Sequence, residues 1–173
     1  MQLLNTAYRY GWVARILHWT SVTLVAWLFL GISGLDVPPK VYVRDSVVAN
    51  HAACGLALLG LMGLRLAWRL TNPDPMLRYR FAPWRRVLAR GVHRSLYIAV
   101  IGECLFGIVA LAATGAPLPL VGPLAGADAS LAGAARAWHD GLASALLLLV
   151  LVHAGAGVTH QVADVVTPAP PPD

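Results

Sequence analysis

The chain of 173 residues is 58% hydrophobic and only 12% charged, with a mean hydropathy of +0.65. Its apolar residues fall in long blocks, which excludes an ordinary soluble domain and predicts an integral membrane protein. The net charge of +5 does not point to a nucleic-acid partner, because the arginines crowd one loop and the helix ends beside it, which is the signature of membrane orientation.

The first predicted span runs from Trp12 to about Gly34, with Trp12 and Trp19 toward one interface and His18 about two turns inside. Gly34-Leu35-Asp36-Val37-Pro38-Pro39-Lys40 stops it, since Pro-Pro and charge end a helix. The second span, Val47 to about Leu70, opens with His51 and closes with Arg65 and Arg69. Thr71 through Arg90, with Arg78, Arg80, Arg85, Arg86 and Arg90, reads as a polar basic loop. The third span, about Gly91 to Ala113, begins with His93 and holds Glu103. Residues 115–123 are too proline-rich for regular helix and read as a loop that dips partly into the interface. The fourth span covers Leu131 to about Val162, and Thr167 to Asp173 is a proline-rich tail.

The expectation is thus an all-α membrane protein: one four-helix domain over residues 1–166, spans at about 12–34, 47–70, 91–113 and 131–162, and a tail at 167–173. Tyr8, Arg9, Tyr10 and Arg15 lead into a full-length span, so the first helix reads as a retained anchor and not a cleaved signal. Cys54 and Cys104 sit inside apolar runs without a C-x-x-C motif, and read as inert thiols.

Lys40, Arg44 and Arg136 lie on one side, against Arg9, Arg15, Arg65, Arg69, Arg78, Arg80, Arg85, Arg86, Arg90 and Arg94 on the other. The positive-inside rule then puts both termini and the middle loop in the cytoplasm.

The fourth span carries His139, His153 and His160. Fourteen residues separate the first two, so they point within about 40° of each other and lie roughly 21 Å apart along the axis. With the expected orientation, His18 matches His153 in depth near the cytoplasmic side, and His51 matches His139 near the outer side. A lone membrane histidine is as readily a structural hydrogen-bonding group. Four that match in depth read as two pairs of axial haem ligands, because imidazole is a common ligand of haem iron. Ala52, Ala53, Gly55, Ala154, Gly155 and Gly157 read either as room for a flat macrocycle or as close helix contacts.

Arg-Ile-Leu-His18-Trp19, His51-x-x-x-Gly55 followed by Arg65-Leu66-x-Trp68-Arg69, His93-x-x-x-Tyr97, and His139 with His153 and His160 together resemble the bacterial cytochrome b561 family, over about Tyr8 to Val166. The resemblance implies a bacterial inner-membrane cytochrome with two non-covalent b haems, bis-histidine ligated by His18, His51, His139 and His153. It implies electron exchange with quinone, ubiquinone in the branch that oxidises superoxide at the outer face. The chain departs from the family pattern at Ala52, where a lysine commonly follows the second-span histidine, and at Cys104, where the third span often has proline.

His160, roughly 10 Å beyond His153 along the helix, and His93 on the third span read as groups that hydrogen-bond a quinone or carry its protons, with an interfacial structural histidine as the plain alternative. Glu103 reads as an interhelix hydrogen-bonding group or a proton carrier. Arg15, Arg65, Arg69 and Arg94 suit haem propionates or helix anchoring. The expected function is a quinone-reducing oxidoreductase with a small-molecule or protein donor, superoxide among them. Its rivals are an electron-relay subunit docking a periplasmic dehydrogenase or hydrogenase, and a haem-free transporter bundle.

Overall fold

The structure is a computed structural model that describes residues 2–6, 9–32, 41–73, 75, 83–124 and 126–166, with side chains described except at 32, 41–45, 83, 85 and 160–166. Its helices are α1 (Trp12–Ile32), α2 (Val41–Thr71), α3 (Pro83–Ala112) and α4 (Ala129–Val166). All four are long and apolar enough to cross a membrane. In hydrocarbon every backbone polar group must be satisfied within its own segment, which leaves helix as the conformation of such runs. The hydroxyls obey the same rule: Ser21 donates to the Leu17 carbonyl at 2.7 Å and Thr23 to the Trp19 carbonyl at 3.0 Å.

Helix ends are closed by short polar devices. The N-terminal hook folds over the start of α1, where the carbonyls of Gln2 and Leu3 accept the Trp12 and Val13 N–H groups at 3.1 and 3.4 Å. Asn5 accepts the Gly11 N–H at 2.9 Å and donates to the Pro73 carbonyl at 3.0 Å, tying the start of α1 to the end of α2. Gly115, at φ 78°, turns the chain away from α3. The loop beyond is pinned by reciprocal Leu118–Gly122 hydrogen bonds of 3.0 and 2.9 Å, with Leu120 exposed at its tip. Asp128 caps α4, its carboxylate accepting the Leu131 N–H at 3.0 Å.

Consecutive helices are neighbours, and α3 with α4 is the most extensive pairing. The core is a cluster of Leu58 and Met62 from α2, Ala99, Val100 and Cys104 from α3 and Leu146 from α4, with Leu24, Val25 and Leu28 of α1 against it. Trp19, Trp27, Leu30, Ile98, Leu148 and Leu151 are each more than half exposed around the outside. So wide an apolar exterior is the surface a bilayer solvates.

The helices outrun the predicted spans. α2 begins at Val41 and α3 at Pro83, so Arg86 and Arg90, expected in the basic loop, are helical. Proline suits a first helical position and arginine is a good helix former, so the basic stretch continues the helix beyond the apolar run. α4 likewise extends from Ala129 to Val166. The expected stop at 35–40, Arg78, Arg80 and the tail lie outside the described residues.

Candidate functional site

The four histidines singled out by depth come together in two pairs. The His18 and His153 ring centroids stand 6.3 Å apart with planes at 75°, bridging α1 and α4. Those of His51 and His139 stand 6.1 Å apart at 82°, bridging α2 and α4. Among the described residues, α1 and α2 scarcely approach α4 through the backbone, so the rings reach across the widest parts of the bundle. Leu58, Met62, Val100, Cys104 and Leu146 form an apolar slab between the layers. The sequence explains the stacking: His51, Leu58, Met62 and Arg65 on α2, and His139, Leu142, Leu146 and His153 on α4, recur at three, four and seven residues and so share one face.

The two layers differ in their surroundings. The His139 Nδ1 lies 3.0 Å from the Glu103 main-chain carbonyl and 3.3 Å from the Glu103 Oε1. The carbonyl is an obligate acceptor, which assigns the ring proton to Nδ1 and the lone pair to Nε2, the form in which imidazole binds a metal. Glu103 Oε2 is buried without a hydrogen-bond partner. Arg136 forks onto Asp140 beside this layer, at 2.8 and 2.9 Å. A cavity of about 160 Å3 lined by Trp27, Leu28, Gly31, Val47 and Asn50 reaches His51.

At the other layer, Arg65 Nη2 lies 3.1 Å from the His18 Nδ1. Arg65 and Arg69 also lie over the Tyr97 ring, at 5.6 and 5.8 Å from its centroid. His93 joins this layer, its ring 5.1 Å from that of His153. The His160 side chain lies outside the described residues. Arg15 sits over the Trp12 ring at 5.9 Å, and Arg94 is exposed.

The pair spacings can be tested against a metal held between the rings. An imidazole nitrogen binds a transition metal at about 2 Å and the ring centre lies about 1 Å further, so two rings on opposite sides of one ion stand roughly 6 Å apart. The 6.3 and 6.1 Å pairs fit, whereas the 5.1 Å contact between His93 and His153 is too short. Among the described residues no three His, Cys, Asp or Glu side chains gather into a protein-only metal cage. Paired imidazoles suit an iron whose other ligands come from a macrocycle.

Of the two readings that the sequence left open for the small residues, the glycines among them keep the one with free space beside them. A Cβ at Gly55, Gly155 or Gly157 would meet nothing within 4 Å, so these positions adjoin open space and make no close helix contact. The close contacts belong to two glycines of α3 that sequence reasoning passed over. A Cβ at Gly102 would stand 3.0 Å from Leu142 Cδ2, and one at Gly107 would stand 3.0 Å from His139 Cε1 and 3.3 Å from its Nδ1.

Comparison with known proteins decides the family. Residues 9–168 match the family model described as prokaryotic cytochrome b561. The chain belongs to the prokaryotic cytochrome b561 family. This cytochrome is 27% identical over 173 residues to the cytochrome b561 homolog 2 of Escherichia coli (strain K12), covering 95% of this chain and 90% of that one. It is 29% identical over 151 residues to a Yersinia pestis protein named probable superoxide oxidase CybB, covering 84% of each. Family and fold together make it a multi-pass bacterial membrane protein that binds haem b and carries electrons.

Proposed function

We propose that this cytochrome holds two haem b groups, one between His18 and His153 near the cytoplasmic face and one between His51 and His139 near the outer face. Through them it passes electrons from an outer-face donor to quinone in the bacterial inner membrane. The observation that carries this reading is the pair of imidazole spacings, 6.3 and 6.1 Å, at two heights separated by an apolar slab. When bound, each haem iron takes up and gives up one electron.

The chain's own residues do the remaining work. His139 is engaged by Glu103 through Nδ1, which leaves the Nε2 lone pair for the iron, and its ring stands 6.1 Å from that of His51. The slab of Leu58, Met62, Val100 and Leu146 excludes water between the centres, keeping the local dielectric low. Arg65 and Arg69 place positive charge at the cytoplasmic layer, where haem propionates or a quinone headgroup would receive it. There His93 and His160 supply hydrogen bonds and protons as the quinone takes two electrons and two protons. Superoxide, which becomes dioxygen on losing one electron, is the proposed donor. It rests on the name of the Yersinia pestis relative.

Pyridine haemochrome counts and reduced-minus-oxidised spectra on single-alanine variants test the ligand set. His18→Ala and His153→Ala should abolish or severely disturb one centre, and His51→Ala and His139→Ala the other, while His160→Ala keeps both haems and slows quinone reduction. Retention of both haems in any of the four ligand variants removes that residue from the set. If the isolated protein reduces quinone only in company with a soluble dehydrogenase, the donor is a protein and not superoxide.

A further inference from the structure

One of the two tight glycine contacts between α3 and α4 is made at a haem-ligand candidate. An α-helical carbonyl is already engaged by the N–H four residues on, and the side chain at that later position ordinarily shields its second lone pair. Glu103 and Gly107 stand in that relation. With no Cβ at Gly107, the His139 ring packs closely on the turn and its Nδ1 reaches the Glu103 carbonyl at 3.0 Å. Any larger residue would place a Cβ 3.0 Å from the His139 Cε1, a contact made by a ring between two helices and not by the end of a flexible chain. The His139 and Glu103 side chains are both largely buried, at 19% and 15% exposure.

We propose that Gly107 and the main-chain carbonyl of Glu103 form a seat that fixes the tautomer and direction of His139, so that Nε2 faces His51 before the outer-layer haem arrives. Gly107 is then a positioning residue. The seat rests on the reading of His51 and His139 as ligands. Groups that orient a metal-bound histidine through its second nitrogen change metal affinity by about ten- to a hundredfold when removed, which sets the size of the expected effect. The seat also separates the two layers: the His18 Nδ1 faces the Arg65 guanidinium instead of a carbonyl.

The test uses the haem-loaded protein in detergent, with the outer centre assigned by His51→Ala and His139→Ala. Gly107→Ala should speed transfer of the outer haem to excess apomyoglobin by about tenfold or more. It should also move that centre's low-spin ferric EPR signal and leave the inner signal in place. Gly102→Ala is the control, because its Cβ crowds the same helix pair at 3.0 Å from Leu142 Cδ2 without meeting an imidazole; it should leave both signals and both transfer rates unchanged. An unaltered outer centre in Gly107→Ala overturns the seat, as does an equal disturbance by Gly102→Ala, which would mark general helix spacing. Should Gly107→Ala fail to accumulate, histidine-labelled NMR of the diamagnetic ferrous wild type decides. A ring N–H of His139 with a through-space contact to the Gly107 Hα protons is expected, and its absence overturns the seat. If the His51 and His139 variants keep both haems, the ligand reading itself has failed; if each loses one while Gly107→Ala is silent, the seat alone has failed.

Discussion

Two imidazoles that occupy equivalent places in the bundle are held in opposite ways. Arginine only donates hydrogen bonds, so the 3.1 Å contact from Arg65 assigns the lone pair of His18 to Nδ1 and its proton to Nε2. On the proposed ligation, presenting Nε2 to iron needs the other tautomer or a turned ring, so Arg65 would have to release His18 as the inner haem binds. The guanidinium would then remain within the layer as a nearby cation, favouring the reduced over the oxidised iron. A unit charge about 8 Å away at an effective dielectric of 20 is worth ~2 kcal/mol, and ~1.4 kcal/mol corresponds to about 59 mV for one electron. Arg65→Gln is therefore expected to lower the inner midpoint potential by roughly 50–100 mV in a redox titration, leaving the outer one within error. An unchanged or higher inner potential would separate Arg65 from that centre.

At the scale of the helix, the ring spacings depend on the phase of α4. His139 and His153 share a face only because fourteen residues make nearly four turns. One alanine inserted after Leu146 turns everything beyond it by about 100° and advances it about 1.5 Å, so a haemochrome count should fall from two to one, the His18 centre being the one lost. Retention of both centres would mean that His153 is not needed. This dependence was legible in the chain, because polar rings are rare in apolar runs and their depths can be counted. The glycine contacts were not. Gly55, Gly155 and Gly157 attract notice by lying near histidines in sequence, and they adjoin open space, not a neighbouring helix. Gly102 and Gly107 lie remote in sequence from the side chains they accommodate, and only the packing of α3 on α4 reveals them. The helical start of α3 was hidden for another reason: a run of arginines marks where the bilayer ends, and Pro83 lets the helix begin well outside it.

For the whole molecule, the family, the all-helical class and the four spans could be read from composition and motif order, since each rests on the length and polarity of whole segments. Which face meets the cytoplasm rests on charge alone. Lysine and arginine counts put both termini inside, so a C-terminal green fluorescent protein fusion should glow and a C-terminal alkaline phosphatase fusion should be inactive; the reverse pattern would turn the proposed electron path around. That path has a fixed length. A single unbroken α4, helical from Ala129 to Val166, carries one proposed ligand of each centre, so the gap between irons is set by a rod and not by a hinge. Tunnelling falls off exponentially with distance, so one continuous helix carrying both proposed ligands would hold that step at a single length. On the proposed path, turnover would then be governed at the two ends, by how fast a donor arrives and a quinone departs.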